Sequence, residues 1–90
     1  MIRKRFYFSG RVQGVGFRYT AKMIADHYGI TGFVKNLPEG RVLMEAQGDE
    51  KTIDIVVGSI GNRDSYIRIE GIESEIIPVK EEERVFDYRF

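Results

Sequence analysis

Residues 12–18 read Val-Gln-Gly-Val-Gly-Phe-Arg, and this stretch decides the fold more than any other part of the chain. A strand-like aromatic run, Phe6-Tyr7-Phe8, precedes it, and apolar residues at helical spacing follow it. The order strand, glycine-rich loop and helix places successive backbone N–H groups around one centre. Such a centre binds anions, most often phosphate. The loop ends in Arg18, whose planar guanidinium suits phosphate better than an ammonium group does.

The sequence after the loop predicts a helix and then two antiparallel strands. The helix is expected to begin at Arg18 and to end at Gly29, which stands where a left-handed C-terminal cap belongs. We predict a second strand over Ile30–Asn36 and a third over Arg41–Gln47. The tight turn between them, Leu37-Pro38-Glu39-Gly40, makes this pair antiparallel.

A second helix is predicted after the third strand, with Asp49 as its N-cap. Its apolar face follows the i, i+3, i+4, i+7 spacing at Ile53, Val56, Val57 and Ile60. A turn over Asn62–Asp64 and a long strand over Tyr66–Ile77 come next, with a bulge at Gly71. Val85–Phe90 is expected to form a short last strand or a tail.

The predicted order of elements is therefore β-α-β-β-α-β, with an extra edge strand as a further possibility. This is the split βαβ, or ferredoxin-like, arrangement of the α+β class. We expect residues 1–90 to form a single domain, in which both helices lie on one face of an antiparallel sheet.

Composition excludes several classes of function. The chain has 14 basic and 14 acidic residues, and this zero net charge argues against a nucleic-acid partner. It has no cysteine, so disulfides, thiolate nucleophiles and thiolate metal sites are absent. No apolar stretch reaches the about 20 residues of a membrane span, and no signal peptide is recognisable. We therefore expect a cytoplasmic protein with no membrane partner. Because no exposed apolar stripe is evident, we also expect a monomer.

The charged clusters outside the loop are expected to be exposed to solvent. The runs Arg3–Arg5 and Lys80–Glu83 are expected to be solvated strand ends or loops. Glu45, Asp49 and Glu50 follow one another near the end of the third strand, where a solvated helix cap is a better explanation than a metal site.

Three further polar residues lie near the predicted elements without forming a catalytic pattern. His27 falls in the last helical turn, where a cation meets the helix dipole favourably, so catalysis is not needed to explain it. Ser9 and Thr20 flank the loop, where either hydroxyl could tune an anion site, but neither has a base partner in the sequence pattern.

Other phosphate loops do not fit residues 12–18. The loop lacks the terminal Gly-Lys-Ser/Thr of nucleotide-hydrolysing loops, and Tyr19 stands where the dinucleotide fingerprint needs a third glycine. Asn36, at the end of the second strand, is by itself best explained as a turn former. Its neutral amide can also orient an attacking water molecule.

Two segments of the chain resemble the signatures of acylphosphatases. Gly10–Arg18 is similar to the first signature. Gly32-Phe33-Val34-Lys35-Asn36, followed by Gly40, Val42 and Gly48, is similar to the second. Both occur in the expected order within residues 5–50. Beyond them the chain departs from the family, because Gly61-Asn62-Arg63 replaces a glycine-proline that usually follows the second helix.

The resemblance implies the split βαβ fold and hydrolysis of an acyl phosphate to a carboxylate and inorganic phosphate. By motif position, Arg18 would bind the phosphoryl oxygens and Asn36 would hold the attacking water. No cofactor and no metal ion is implied. The phosphate cradle would be formed by the backbone N–H groups of Gln13, Gly14, Val15, Gly16, Phe17 and Arg18.

Two other functions remain open from the sequence. The first is a non-catalytic module that binds RNA or a small anion, because RNA-binding sheets display aromatic side chains such as Phe6, Tyr7 and Phe8. The second is a domain that handles carbamoyl phosphate, since similar domains begin the hydrogenase-maturation carbamoyltransferases. No downstream catalytic domain follows within these 90 residues.

Overall fold

The computed structural model describes residues 1–63 and 66–90 and has the predicted α+β, ferredoxin-like architecture, including the extra edge strand. The elements are β1 (Ile2–Arg11), α1 (Phe17–Tyr28), β2 (Thr31–Asn36), β3 (Val42–Gly48), α2 (Glu50–Arg63), β4 (Arg68–Ile77) and β5 (Phe86–Arg89). Neither described helix combines the length and the apolar character that crossing a membrane requires.

The two helices differ slightly from the predicted bounds. α1 begins at Phe17, one residue before the predicted start, because Gly16 makes the preceding left-handed turn with a φ of 81°. α2 continues to Arg63, so the predicted turn is wrong at Asn62 and Arg63, whereas Asp64 lies outside the described residues. The glycines of α2 do not end it, because its buried apolar face packs against the core.

The sheet has the strand order β4-β1-β3-β2-β5 and is mixed rather than wholly antiparallel. The first four strands pair antiparallel, as predicted. β5 pairs parallel with β2, with Phe86 opposite Gly32, because the chain crosses the whole sheet between β4 and β5 before it pairs. The predicted bulge is present: Ser9 pairs with Gly71 but Gly10 pairs with Ile69, which leaves Glu70 as the extra residue.

One face of the sheet and the two helices enclose the hydrophobic core. Phe6 and Phe8 of β1 point into this core, together with alternate residues of β2 and β3. The two helices pack against each other. Both contribute buried residues at helical spacing to the core: Phe17, Ala21, Ile24 and Ala25 from α1, and Ile53, Val56 and Ile60 from α2.

The opposite face of the sheet carries a buried polar cluster formed by Arg3, Glu45, Gln47 and Glu83. Arg3 is fully buried, and its Nε donates to Glu45 at 2.9 Å while its Nη1 donates to Glu83 at 2.8 Å. The side-chain amide of Gln47 donates to the carbonyl of Lys80 at 2.9 Å and accepts its N–H at 2.8 Å. These bonds fasten the β4–β5 crossover to the sheet.

This buried cluster corrects the expectation that these charged residues are solvated. The prediction is wrong for Arg3, Glu45 and Glu83, because the crossover covers the sheet at this point. Glu81 and Glu82 are exposed, as expected. A buried arginine is tolerated here because two carboxylates and an amide accept from it.

Candidate active site

A cavity of about 240 Å³ opens where the 12–18 loop, the end of β2 and β5 meet. Its lining residues are Val12, Gly14, Gly16, Phe17, Arg18, Asn36 and Tyr88. The fold thus brings Arg18 and Asn36 together, although α1 and most of β2 separate them in the sequence.

The loop reaches this cavity through two left-handed glycines. Gly14 has a φ of 73° and Gly16 a φ of 81°, values that other L residues adopt only at a cost. Gly16 immediately precedes α1, and its carbonyl accepts the N–H of Thr20 at 3.0 Å. Among the described side chains none caps this helix end, and its first turn contains no acidic residue. The unpaired N–H groups and the positive end of the helix dipole therefore lie at the cavity.

The side chain of Gln13 contacts the β2–β3 turn and not the cavity. Its side-chain Nε2 donates to the carbonyl of Leu37 at 2.8 Å and to that of Arg41 at 2.9 Å. It therefore ties the loop to the β2–β3 turn instead of lining the cavity. Val15 also does not line the cavity, because its side chain packs against the hydrophobic core.

Arg18 is held by the C-terminal strand. Its Nη1 donates to the carbonyl of Arg89 at 2.9 Å. Its guanidinium carbon lies 4.6 Å from the centre of the Tyr88 ring and 5.2 Å from that of Phe90. Sequence reasoning missed this contribution of β5. The available signal was the alternation of aromatic residues at 86, 88 and 90, which places them on one side of a strand.

Asn36 is the last residue of β2 and pairs with Val42 across the β2–β3 hairpin. It is half-buried, and its side-chain amide makes no hydrogen bond to another residue in the described part of the chain. The amide is therefore available to one acceptor and one donor in the cavity at the same time.

The remaining polar candidates lie away from the cavity. The Ser9 hydroxyl donates to the carbonyl of Gly71 at 3.4 Å, across the β1–β4 pair. Thr20 is buried in α1 and does not line the cavity. His27 is exposed in the last turn of α1, and its ring meets the edge of Tyr28 with 4.9 Å between centroids.

The acidic residues after β3 also have structural partners. Asp49 caps α2, since its carboxylate accepts the N–H of Thr52 at 3.3 Å. Glu50 lies 3.5 Å from the ammonium group of Lys4. Within residues 1–63 and 66–90, no three His, Asp or Glu side chains are grouped so that they could hold a metal ion.

Comparison with known proteins gives the family. The acylphosphatase family model matches residues 4–88. An acylphosphatase from Clostridium perfringens is 43% identical over 86 residues, which are 96% of this chain and 97% of that protein. The crystal structure of acylphosphatase from Bacillus subtilis superposes over 100% of both chains with a TM-score of 0.91 and 33% identity.

A larger protein contains a similar unit. The crystal structure of full-length HypF in the phosphate- and nucleotide-bound form matches all of this chain with a TM-score of 0.84 and 31% identity, but only 12% of its own chain is covered. This chain therefore belongs to the acylphosphatase family, hydrolases that act on the acid-anhydride bond of acyl phosphates.

Proposed function

We propose that this chain hydrolyses acyl phosphates by in-line attack of a water molecule on the phosphoryl group held at the cavity. The observation that supports this assignment is the meeting of Arg18, Asn36 and the two loop glycines around one opening of about 240 Å³. Each of these groups has a property that the reaction needs, whereas Ser9, Thr20 and His27 do not line this opening.

The phosphoryl group is bound by positive charge and N–H donors. The guanidinium of Arg18 offers two parallel donors to the phosphoryl oxygens. The backbone N–H groups of the loop residues that line the cavity, Gly14, Gly16, Phe17 and Arg18, complete the cradle together with the positive end of α1. These groups stay in place during the reaction, so they stabilise the charge that develops on the phosphoryl oxygens without reorganisation.

Asn36 positions the nucleophile. Its carboxamide oxygen accepts a hydrogen bond from the water and so fixes the position of the water for attack. The water oxygen attacks phosphorus from the side opposite the acyl oxygen. The bond between phosphorus and that oxygen breaks, its electron pair leaves with the carboxylate, and the protons of the water remain with inorganic phosphate or pass to solvent.

The sparse site suits this reaction. The leaving carboxylate has a pKa of about 4, so it departs without a general acid. The transition state of phosphoryl transfer is loose, with its charge spread over the equatorial oxygens. Positioning and electrostatic stabilisation therefore supply most of the rate enhancement.

The alternative of an RNA-binding sheet has little support in this structure. Phe6 is 4% exposed and Phe8 is fully buried beneath the helices, so neither ring is available to stack on a base. Tyr7 faces the other side of the sheet, where its ring contacts the guanidinium of Arg41. Carbamoyl phosphate, which the sequence resemblance left open, remains among the acyl phosphates to be tested as substrates.

The test is release of inorganic phosphate from acetyl, benzoyl and carbamoyl phosphate without added metal. We expect turnover of at least one substrate by the unmodified chain and a loss of at least a hundredfold in kcat/KM for Arg18→Ala. Arg68→Ala is the matched control, because Arg68 is an exposed arginine on β4 that does not line the cavity. The assignment fails if there is no turnover, or if Arg18→Ala and Arg68→Ala behave alike.

Asn36→Ala separates water positioning from phosphate binding. A single oriented polar group contributes about 2.7–4 kcal/mol to a transition state, so we expect at least a hundredfold loss in kcat. Inorganic phosphate should inhibit this variant competitively with nearly the original inhibition constant. A variant that kept its kcat but lost phosphate inhibition would show that the two roles are assigned the wrong way round.

A further inference from the structure

We propose that Tyr88 is a positioning residue of the phosphate site, holding the Arg18 guanidinium at the cavity by stacking against one of its faces. The inference rests on the phosphate-binding role proposed for Arg18 and adds β5 to the parts of the molecule that determine activity. Tyr88 would contact Arg18 and not the reacting atoms.

The geometry leaves Arg18 able to bind an anion while Tyr88 holds it. The guanidinium carbon lies 4.6 Å from the ring centre of Tyr88, within the roughly 6 Å over which a cation and an aromatic face attract. The carbonyl of Arg89 accepts one N–H of the same group. A guanidinium has five N–H donors in its plane. Contacts with the ring of Tyr88 and, at 5.2 Å, the ring of Phe90, together with one occupied donor, therefore leave further in-plane donors for the phosphoryl oxygens.

The position of Tyr88 is itself fixed by the sheet. β5 pairs parallel with β2, where Tyr88 lies opposite Val34, two residues before Asn36. Phe86 at the start of β5 is 1% exposed and anchors the strand in the core. The ring that holds the arginine and the amide proposed to hold the water are therefore carried by adjacent strands of one sheet.

Holding the arginine matters because its side chain is long and loses much rotamer freedom when it binds a ligand. A guanidinium already stacked on a ring loses less freedom on binding, so the anion binds more tightly. Cation–aromatic contacts of this kind correspond to about a two- to thirtyfold change in an equilibrium constant. That range sets the expected effect of removing the ring.

The experiment compares Tyr88→Leu, Tyr88→Phe and Tyr7→Leu. Tyr7→Leu is the matched control, because Arg41 lies over the Tyr7 ring at the same 4.6 Å, away from the cavity. Inorganic phosphate binding is measured by calorimetry, and kcat and KM are measured with acetyl phosphate and benzoyl phosphate. Because Tyr88 is 38% exposed, the leucine variant should fold, and its unfolding midpoint is recorded. Tyr88→Gln provides a second variant without a ring.

We expect Tyr88→Leu and Tyr88→Gln to weaken phosphate binding about two- to thirtyfold and to lower kcat/KM by the same factor for both substrates. Tyr88→Phe should stay within about twofold of the unmodified chain, since it keeps the aromatic face. Tyr7→Leu should leave phosphate binding unchanged.

Three results would overturn the proposal. Phosphate binding could be unchanged in Tyr88→Leu, the loss could be confined to benzoyl phosphate, or Tyr88→Phe could lose as much as Tyr88→Leu. The second result would mean that the ring contacts the acyl group, and the third that the hydroxyl is the active feature. Failure of the proposed function is distinguishable, because it appears as unchanged phosphate binding in Arg18→Ala.

Discussion

At the scale of single residues, two glycines shape the site by conformation and not by size. A Cβ added at Gly14 or at Gly16 would meet no atom within 4 Å, so space is available at both positions. The constraint is the left-handed φ of 73° at Gly14 and 81° at Gly16, which turns the chain along the cavity that both residues line. This is why the loop could be predicted from sequence: glycine is the residue that occupies this region at little cost.

Gly16→Ala should therefore cost stability and activity, whereas Gly29→Ala should cost stability alone. Both glycines are left-handed and open to solvent, with Gly29 at φ 71° after the last turn of α1. Each substitution should lower the free energy of unfolding by about 1–2 kcal/mol. A shift of the cradle should lower kcat/KM by about a hundredfold in Gly16→Ala only. Urea unfolding measures the loss of stability, and phosphate release measures the loss of activity. Equal activity losses in Gly16→Ala and Gly29→Ala would contradict the role of Gly16 in the phosphate cradle.

The residues that sequence reasoning missed share one physical feature. Arg18 and Asn36 each stand beside a recognisable local pattern, a glycine loop and a hairpin turn. Tyr88 reaches the cavity through a parallel pairing with β2 that no local pattern encodes. Arg3 is buried through partners more than 40 residues away, whereas an isolated charged residue is normally expected in solvent.

At the scale of elements, the loop and the β2–β3 hairpin act as one unit. Gln13 donates to two carbonyls of the hairpin turn, those of Leu37 and Arg41. The loop carries Arg18 and the hairpin carries Asn36, so this amide sets the distance between the two proposed functional side chains. The sequence correctly predicted both elements but assigned Gln13 only to the cradle.

Gln13→Glu should loosen this connection. A carboxylate cannot donate to the two carbonyls, so about 1–3 kcal/mol of stability should be lost, from two hydrogen bonds of about 0.5–1.5 kcal/mol each. The value of kcat should fall more than the affinity for phosphate, because Asn36 and Arg18 would no longer hold the water and the phosphoryl group at a fixed distance from each other. Arg41→Ala is the control, since it keeps the backbone carbonyl that accepts from Gln13. Comparable kcat losses in both variants would contradict the role of the amide.

Element boundaries were predicted less well than element types. The end of α2 was placed too early because glycines within it lower helix propensity. Packing of the fully buried Ile53, Val56 and Ile60 outweighs that preference and extends the helix to Arg63. The mixed character of the sheet could not be predicted, because the direction of β5 depends on the crossover and not on its own sequence.

At the scale of the whole molecule, the polar cluster fastens the β4–β5 crossover, which connects the two edge strands, to the interior strands β1 and β3. Burial alone would raise the pKa of Glu45, but the guanidinium groups of Arg3 and Arg5 outweigh burial and hold this pKa below its usual value. For Arg3, burial alone would lower the pKa, and the carboxylates of Glu83 and Glu45 raise it above its usual value. Both groups are therefore charged throughout the neutral range.

The lowered pKa of Glu45 gives stability a defined dependence on pH. A carboxyl group whose pKa is lower in the folded chain stabilises it above the unfolded value, near 4.5, and this stabilisation disappears as pH falls through the folded value. Glu45→Gln should therefore lose about 3–5 kcal/mol at pH 7, because it breaks a buried ion pair, and should lose less on further acidification.

Urea unfolding between pH 7 and pH 3 measures this dependence. Glu50→Gln is the control, because Glu50 forms a more exposed ion pair with Lys4 and should change stability by less than about 1 kcal/mol. Parallel stability curves for the unmodified chain and Glu45→Gln would show that the carboxylate does not contribute in this way.

The parallel pairing of β5 with β2 also has a kinetic consequence. It joins Gly32 to Phe86, so it requires closure of a long stretch of chain, and such non-local pairings slow folding. The β2–β3 hairpin and α1 involve only local contacts and can form before β5 arrives. During refolding from urea, the appearance of full hydrolytic activity should therefore mark the arrival of this edge strand and follow the recovery of helical signal.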